Sequence, residues 1–351
     1  MQQLISRKTI RTSVDLSLML ILTNGILLGF PAVLYFLLLE QGGTLLPLQL
    51  VISGIYFLAS LIIAIETASV FWAITHPQQK AVRGILQRFC RRSRSRRDMA
   101  RFNSIRYRAL TSDPVPPVSM VVVAYLPNEQ SIILETLEHI LTQVQWPASR
   151  LEVILAYNTP TTLPVEADLH MLSRRYPALK LLRVENSTSK AENLNAALEI
   201  VTGEMTCIFD ADHHPSPDCL ERAWEWLRQG RYDLVQGRNV IRNHDQNWLT
   251  HLVAVEFECL YGVSHFGRSL LVDTALFGGS NGYWRTSALR QICFRSTMLT
   301  EDIDATLRAL MKGYRIVHDP LILTTELAPE DVPALWSQRR RWSQGWLEVA
   351  L

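Results

Sequence analysis

Hydrophobic and polar positions follow two regimes along the chain. Residues 16–39 and 41–65 contain no charged side chain, giving uncharged runs of 24 and 25 residues with only Glu40 between them. A helix rises 1.5 Å per residue, so about 20 apolar residues cross a hydrocarbon core of about 30 Å. The pattern predicts two transmembrane helices, at about 14–39 and 45–75, forming an N-terminal hairpin that turns at Gly42 and Gly43. A cleaved signal peptide would carry an apolar core of only about 7–15 residues. Two long runs in succession favour the hairpin.

After residue 117 short β-branched runs alternate with helical periodicity. Residues 118–124 (VSMVVVA) suit a strand buried on both faces, and 130–143 place Ile132, Ile133, Leu137, Ile140 and Leu141 on one side of a helix. Further strands are expected at 151–157, 179–184 and 205–209. Between the last two, Ser189 caps a helix that runs to Val201 and stops at Gly203. The βαβαβ order predicts an α/β domain with a mostly parallel central sheet and a ligand site at the carboxyl ends of its strands.

Charge separates the same two regions. The chain has 35 Lys and Arg against 33 Asp and Glu, a net charge of +2. Residues 1–108 hold 14 of those cations and four acids, a local charge of +10, and the remainder is −8. Arg7, Lys8 and Arg11 precede the first run, eleven cations from Lys80 to Arg108 follow the second, and the intervening turn has none. Positive flanks stay in the cytoplasm, which leaves everything after the hairpin on that side. The basic linker, 76–117, ends in the stiff Asp113-Pro114-Val115-Pro116-Pro117. It reads as a surface for anionic membrane lipids, at about 1 kcal/mol per cation, in preference to nucleic acid. Five cysteines, with no C-x-x-C spacing, read as reduced thiols. A hydrophobic content of 48% and a mean hydropathy of +0.07 exclude a disordered chain.

Candidate chemistry begins where the strand 205–209 runs into Asp210-Ala211-Asp212. Two carboxylates one residue apart at a strand end can hold a hard divalent cation that keeps waters and binds substrate phosphates. D-x-D alone is a weak signal, equally compatible with a solvated loop. Glu301, Asp302 and Asp304 form an acid cluster where Thr300 is placed to cap a helix, which is favourable to the helix dipole whatever else they do. Gln338, Arg341 and Trp342 share a helical face, among Trp336, Arg339, Arg340 and Trp346. Such a helix also suits a membrane surface.

The ordered set VSMVVVAYLPNE (118–129), SKAENLNAAL (189–198), FDAD (209–212), FGGSNGYWRTSAL (277–289), LTEDIDATLRALMKGYRI (299–316) and QRRRW (338–342) resembles the membrane-bound, processive family 2 glycosyltransferases. These include cellulose, hyaluronan, chitin, mannan and poly-N-acetylglucosamine synthases. The resemblance covers about 118–346 and implies a GT-A catalytic domain, 118–330, followed by an amphipathic interfacial helix, 331–351. It implies an inverting transfer from a nucleotide-sugar donor, a UDP-sugar by family precedent, to a glycan acceptor at a bacterial inner or plasma membrane.

By the same resemblance Asp210 and Asp212 hold the donor diphosphate through Mg²⁺ or Mn²⁺, and Asp302 is the general base. Lys190, Asn193, Gln338 and Arg341 contact the donor. Glu301, Gly279, Asn281 and Trp342 line the acceptor side. His213, His214, Gln236, Arg238 and His251 receive no role.

Two departures from the family stand out. The second strand of the family normally ends in an aspartate pair at the nucleotide, whereas this chain has Ala156-Tyr157-Asn158, so Asn158 is expected to hydrogen-bond and Tyr157 to stack there. Further membrane helices normally follow QxxRW and form the polymer channel, whereas the sequence stops at Leu351. The expectation is a channel-forming or export partner or a truncated form. The alternatives are a non-processive transferase with a lipid-linked acceptor and a nucleotide-sugar-binding pseudoenzyme.

Overall fold

A computed structural model describes residues 33, 37, 46–75 and 114–351. They fall into two compact units, one combining the N-terminal region with Glu258–Val272, the other comprising Ser104–Phe257 and Asp273–Leu351.

In the first unit, helix α1 (Leu46–Thr75) contains one stretch, Gln49–Ala73, whose 25 residues have a mean hydropathy of 2.1. At 1.5 Å per residue this is long and apolar enough to cross a bilayer. Leu50, Val51, Ile55, Phe57 and Leu58 are exposed. The single acid of this helix, Glu66, is buried. Its carboxylate accepts from Ser264 Oγ at 2.6 Å and lies 3.5 Å from Arg268 Nε. The expected first span lies outside the described residues apart from Val33 and Leu37, which are helical, and the basic segment to residue 113 lies outside them altogether.

The second unit is built on an eight-stranded sheet. The sequential elements are β1 (Val118–Tyr125), α2 (Leu126–Glu129), α3 (Ile133–Gln143), β2 (Leu151–Asn158), α4 (Val165–Arg175), β3 (Leu179–Arg183), α5 (Lys190–Ile200), β4 (Met205–Asp210), β5 (His214–Pro215), α6 (Cys219–Leu227), β6 (Leu234–Ile241) and α7 (Trp248–Phe257). A π-helical stretch (Glu258–His265) and α8 (Phe266–Val272) follow, belonging to the first unit. The chain continues as β7 (Gly282–Arg285), α9 (Thr286–Ile292), α10 (Glu301–Met311), β8 (Ile316–Glu326) and α11 (Val332–Ala350).

Strand order is β3-β2-β1-β4-β7-β6-β8-β5. The half from β3 to β4 is parallel, as the βαβαβ pattern predicts. The other half makes the sheet mixed while it stays mostly parallel: β7 runs antiparallel to both β4 and β6, β5 is antiparallel to β8, and β6 and β8 are parallel.

Strands β1, β2 and β4 are buried on both faces. One face packs Val121, Val123, Ile154 and Ile208 against Leu194 and Leu198 of α5 and against Phe277, Trp284 and Ile316. That continuous apolar packing fixes the strand ends, and the candidate site sits on those ends.

Candidate active site

The parallel strands β1, β2, β3 and β4 end on one edge of the sheet, where a cavity of about 620 Å³ opens. Tyr125 from the end of β1, Glu129 from α2, Asn158 from β2, Arg183 from β3, Asp210 from β4 and the start of α5 line it. Ser189 caps α5 as expected, its Oγ accepting from Glu192 N at 3.3 Å. The free N–H groups of a helix start favour an anion.

Lys190, the first residue of α5, is the cation of this site. Its Nζ donates to Asp210 Oδ1 and, at 2.9 Å, to the carbonyl oxygen of Gly279. Burial would depress the ammonium, but the surrounding charges of Asp210, Glu301 and Asp302 outweigh it and hold Lys190 protonated.

Gly279 has φ +85, and a Cβ placed there would stand 3.0 Å from Asp302 Oδ2 and 3.5 Å from Lys190 Nζ. A glycine is required because this left-handed turn passes between the two charged groups. Asp302 lies in the first turn of α10, and its Oδ1 accepts from Ile303 N at 2.9 Å. Burial and then the Glu301 charge push its carboxyl up to about 7, against the pull of Lys190. A base poised near neutrality is suited to proton transfer at physiological pH.

Asp212 is held from three sides. Its Oδ1 meets His213 Nδ1 at 2.9 Å, its Oδ2 accepts from Leu327 N at 2.8 Å, and Arg242 donates to its backbone carbonyl. His213 is buried, and its Nε2 lies 2.9 Å from Glu326 Oε2 and 2.8 Å from Ser280 Oγ. Burial disfavours the imidazolium, but Asp212 and Glu326 together push His213 up to about 10. The sequence left His213 without a role, because a lone histidine after D-x-D gives no sign of the Glu326 carboxylate 113 residues later that completes the bridge.

Asp210 and Asp212 remain partly exposed, at 36% and 22% of their side-chain surface. Among the described residues no group of three His, Cys, Asp or Glu side chains is arranged to hold a metal. Two accessible carboxylates with hard oxygen donors fit Mg²⁺ or Mn²⁺ of the kind that takes its remaining ligands from water and a diphosphate.

The other expected contacts separate. Asn193 is buried, and its amide donates to Asn158 Oδ1 at 2.7 Å and Ala124 O at 3.4 Å, tying α5 to β1 and β2 at the cavity wall. Asn158 in turn donates to Ser187 O. The expectation that Tyr157 stacks in the nucleotide site is corrected: it is 2% exposed, with its hydroxyl donating to Glu166 Oε1 at 3.0 Å. Adjacent strand residues point to opposite faces, so Asn158 reaches the cavity and Tyr157 does not. Asn281 is fully buried at φ 50, with its side chain engaged by Tyr283 and Ile322.

Thr300 does not cap α10 with its hydroxyl, which is buried without a hydrogen-bond partner among the described residues. On α11, Gln338 and Trp342 are half-buried, whereas Arg341 is exposed and departs from their face. Arg339 stacks over the Trp342 ring at 4.2 Å and pairs with Glu256 at 2.7 Å. Glu129 was also unassigned from sequence. Its carboxylate accepts from Tyr125 N at 2.6 Å, and burial followed by the Asp210 charge pushes it up to about 7.

Comparison with known proteins places this geometry. The family model described as Glycosyl transferase family group 2 matches residues 206–351. The "Probable glycosyltransferase YdaM" of Bacillus subtilis is 26% identical over 236 residues, which are 66% of this chain and 55% of that protein. The poly-beta-1,6-N-acetyl-D-glucosamine synthase of Staphylococcus epidermidis is 26% identical over 239 residues, 68% of this chain and 56% of that synthase. The chain thus spans little more than half the length of these relatives. Among solved structures, the mannosyltransferase PcManGT of Pyrobaculum calidifontis in complex with GDP-Man and Mn²⁺ shares the fold. Its TM-score is 0.54 at 23% identity, covering 82% of this chain and 74% of that one. Over residues 206–351 the chain matches the Glycosyl transferase family group 2 model, and it is similar to bacterial glycosyltransferases and polysaccharide synthases.

Proposed function

We propose that the protein is a membrane-bound, inverting glycosyltransferase that moves a sugar from a nucleotide-sugar donor, a UDP-sugar by family precedent, to a growing polysaccharide or glycan acceptor. The catalytic unit faces the cytoplasm of a multi-pass membrane protein. The observation that carries this reading is the convergence of Lys190, Asp210 and Asp302 around Gly279 beside a nucleotide-sized cavity.

In this reading the acceptor hydroxyl attacks the anomeric carbon from the side opposite the diphosphate. Its proton passes to Asp302 as the new C–O bond forms and the bond to the diphosphate oxygen breaks. Asp210 and Asp212 would hold Mg²⁺ or Mn²⁺, which when bound supplies charge neutralisation to the leaving diphosphate. PcManGT was solved with Mn²⁺, a precedent for the cation. Lys190 adds a fixed positive charge beside Asp210, and Glu301 stands on the acceptor side of Asp302. The α5 N-terminus and Glu129 border the nucleotide. Gln338, expected at the donor, stands on α11 outside the residues that line the cavity, and in this reading it approaches the acceptor with Trp342; anionic lipids contact the basic linker.

A screen tests the reading. The full chain, reconstituted in lipid nanodiscs with Mg²⁺ or Mn²⁺, is offered UDP-glucose, UDP-N-acetylglucosamine, UDP-glucuronate and GDP-mannose. Release of nucleoside diphosphate from one of them is expected. Products of many sugars per encounter support processive synthesis, and single additions support a short or lipid-linked acceptor.

A further inference from the structure

Thr300, the residue before Glu301 and Asp302, has an unusual surrounding. It stands at the N-cap of α10 without making the side-chain cap bond that Thr ordinarily makes there. Instead it is 5% exposed and presses on the last turns of α11, where Gly345 is the one fully buried residue of the helix. A Cβ at Gly345 would stand 2.6 Å from Thr300 Oγ1 and 2.9 Å from Thr300 Cβ, closer than real side chains approach. One turn-step away, Glu348 Oε2 accepts from Leu299 N at 3.1 Å. Two independent contacts therefore join α11 to the turn that presents Asp302. α11 also carries the half-buried Gln338 and Trp342, on the face that includes Gly345.

We propose that the C-terminal turns of α11 clamp the 299–302 turn and that Gly345 is a positioning residue for Asp302. The proposal rests on Asp302 being the base of the transfer. Without a side-chain cap of its own, the start of α10 takes its position from outside, through the Gly345 backbone and the Glu348 carboxylate. General-base catalysis needs Asp302 within about 3 Å of the acceptor hydroxyl, and a displacement of about 1 Å costs rate far more than donor affinity. The donor cavity lies at the ends of β1 to β4 and does not include α11.

The test is a kinetic comparison of the full chain in nanodiscs, with diphosphate release from UDP-N-acetylglucosamine, UDP-glucose and GDP-mannose as the readout. Gly345→Ala is expected to lower kcat at least tenfold while the donor KM and the affinity for the free nucleoside diphosphate stay within twofold. Adding Thr300→Gly, which removes all three of the closest atoms, is expected to bring kcat back to within about threefold of wild type. Glu348→Leu should lower kcat, and Glu348→Gln, which keeps an acceptor oxygen for Leu299 N, should not.

A kcat for Gly345→Ala within twofold of wild type overturns the clamp, as does a loss that Thr300→Gly leaves unrecovered. If Gly345→Ala does not fold, the Glu348 pair decides: equal rates for the Leu and Gln variants overturn the proposal. A wild-type chain that turns over none of the donors overturns the functional reading itself, which is a separate outcome.

Discussion

Lys190 donates to the carbonyl oxygen of Gly279 at 2.9 Å, on the same turn that passes 3.0 Å, measured from an ideal Cβ, from the Asp302 carboxylate. One ammonium is thereby tied at once to the strand-end acid Asp210 and to the loop facing the candidate base. Replacing it with a neutral side chain of similar length, Lys190→Met, leaves Asp210, Glu301 and Asp302 without their shared cation. Affinity for nucleoside diphosphate should fall about 10- to 100-fold by calorimetry. The acid limb of the kcat/KM profile should move to higher pH, because Lys190 is what holds Asp302 down.

Asp302 also makes a stability prediction with a definite sign. Its carboxyl is raised to about 7 in the folded chain from an ordinary value of 3.8, so between those values the folded state binds the proton that the unfolded state has lost. Stability from this group is present at low pH and is lost as pH rises through about 7. Asp302→Asn keeps the shape and removes the titration. Its melting temperature should exceed that of wild type at pH 8 and converge with it near pH 4, although transfer falls about 10²- to 10⁴-fold.

His213 bridges Asp212 and Glu326 through its two ring nitrogens. Groups that orient a metal-binding carboxylate commonly contribute 10- to 100-fold to metal affinity or activity. His213→Phe should therefore raise the Mn²⁺ concentration that gives half-maximal diphosphate release by about that factor. Mutating the stacked neighbour, His214→Phe, should change it less than threefold, since His214 packs on His139 and not on Asp212.

Glu66 is the acid inside an otherwise apolar helix, satisfied by Ser264 and Arg268. Glu66→Leu strands those two partners, a loss of about 1–3 kcal/mol for groups of this kind. Backbone amides of Glu258–Val272 should then exchange with solvent at least about tenfold faster in reconstituted protein, while those of β1 and β4 stay protected.

How much of this was legible in the sequence depends on whether the determinant is local. β1, β2 and β4 announce themselves because strands buried on both faces must be continuously apolar, and Ser189 announces the start of α5 by its side-chain chemistry. The antiparallel β7 is only four residues long, and its pairing is decided by Leu234–Gln236 of β6 and Met205–Ile208 of β4, far away in sequence. Asp210, Asp212 and Asp302 could be singled out from motif order, whereas the roles of His213, Glu129 and Gly345 depend on Glu326, Asp210 and Thr300, which only the folded chain brings to them. Arg341 fits the helical face at ideal spacing, yet Gln338, Trp342 and Gly345 turn inward and leave it exposed. Tyr157 and Asn158 show how one residue of register decides which side chain reaches the cavity.

The central claim is that Asp302 takes the acceptor proton at a site where Asp210 and Lys190 hold the donor. The most direct measurement is diphosphate release by the reconstituted full chain, wild type beside Asp302→Asn, with binding of the free nucleoside diphosphate measured on both. Release by the wild type, loss of at least about 100-fold in the variant, and dissociation constants within threefold of each other are the results expected. A variant that releases diphosphate at the wild-type rate, or one that loses binding in proportion to turnover, would contradict the assignment.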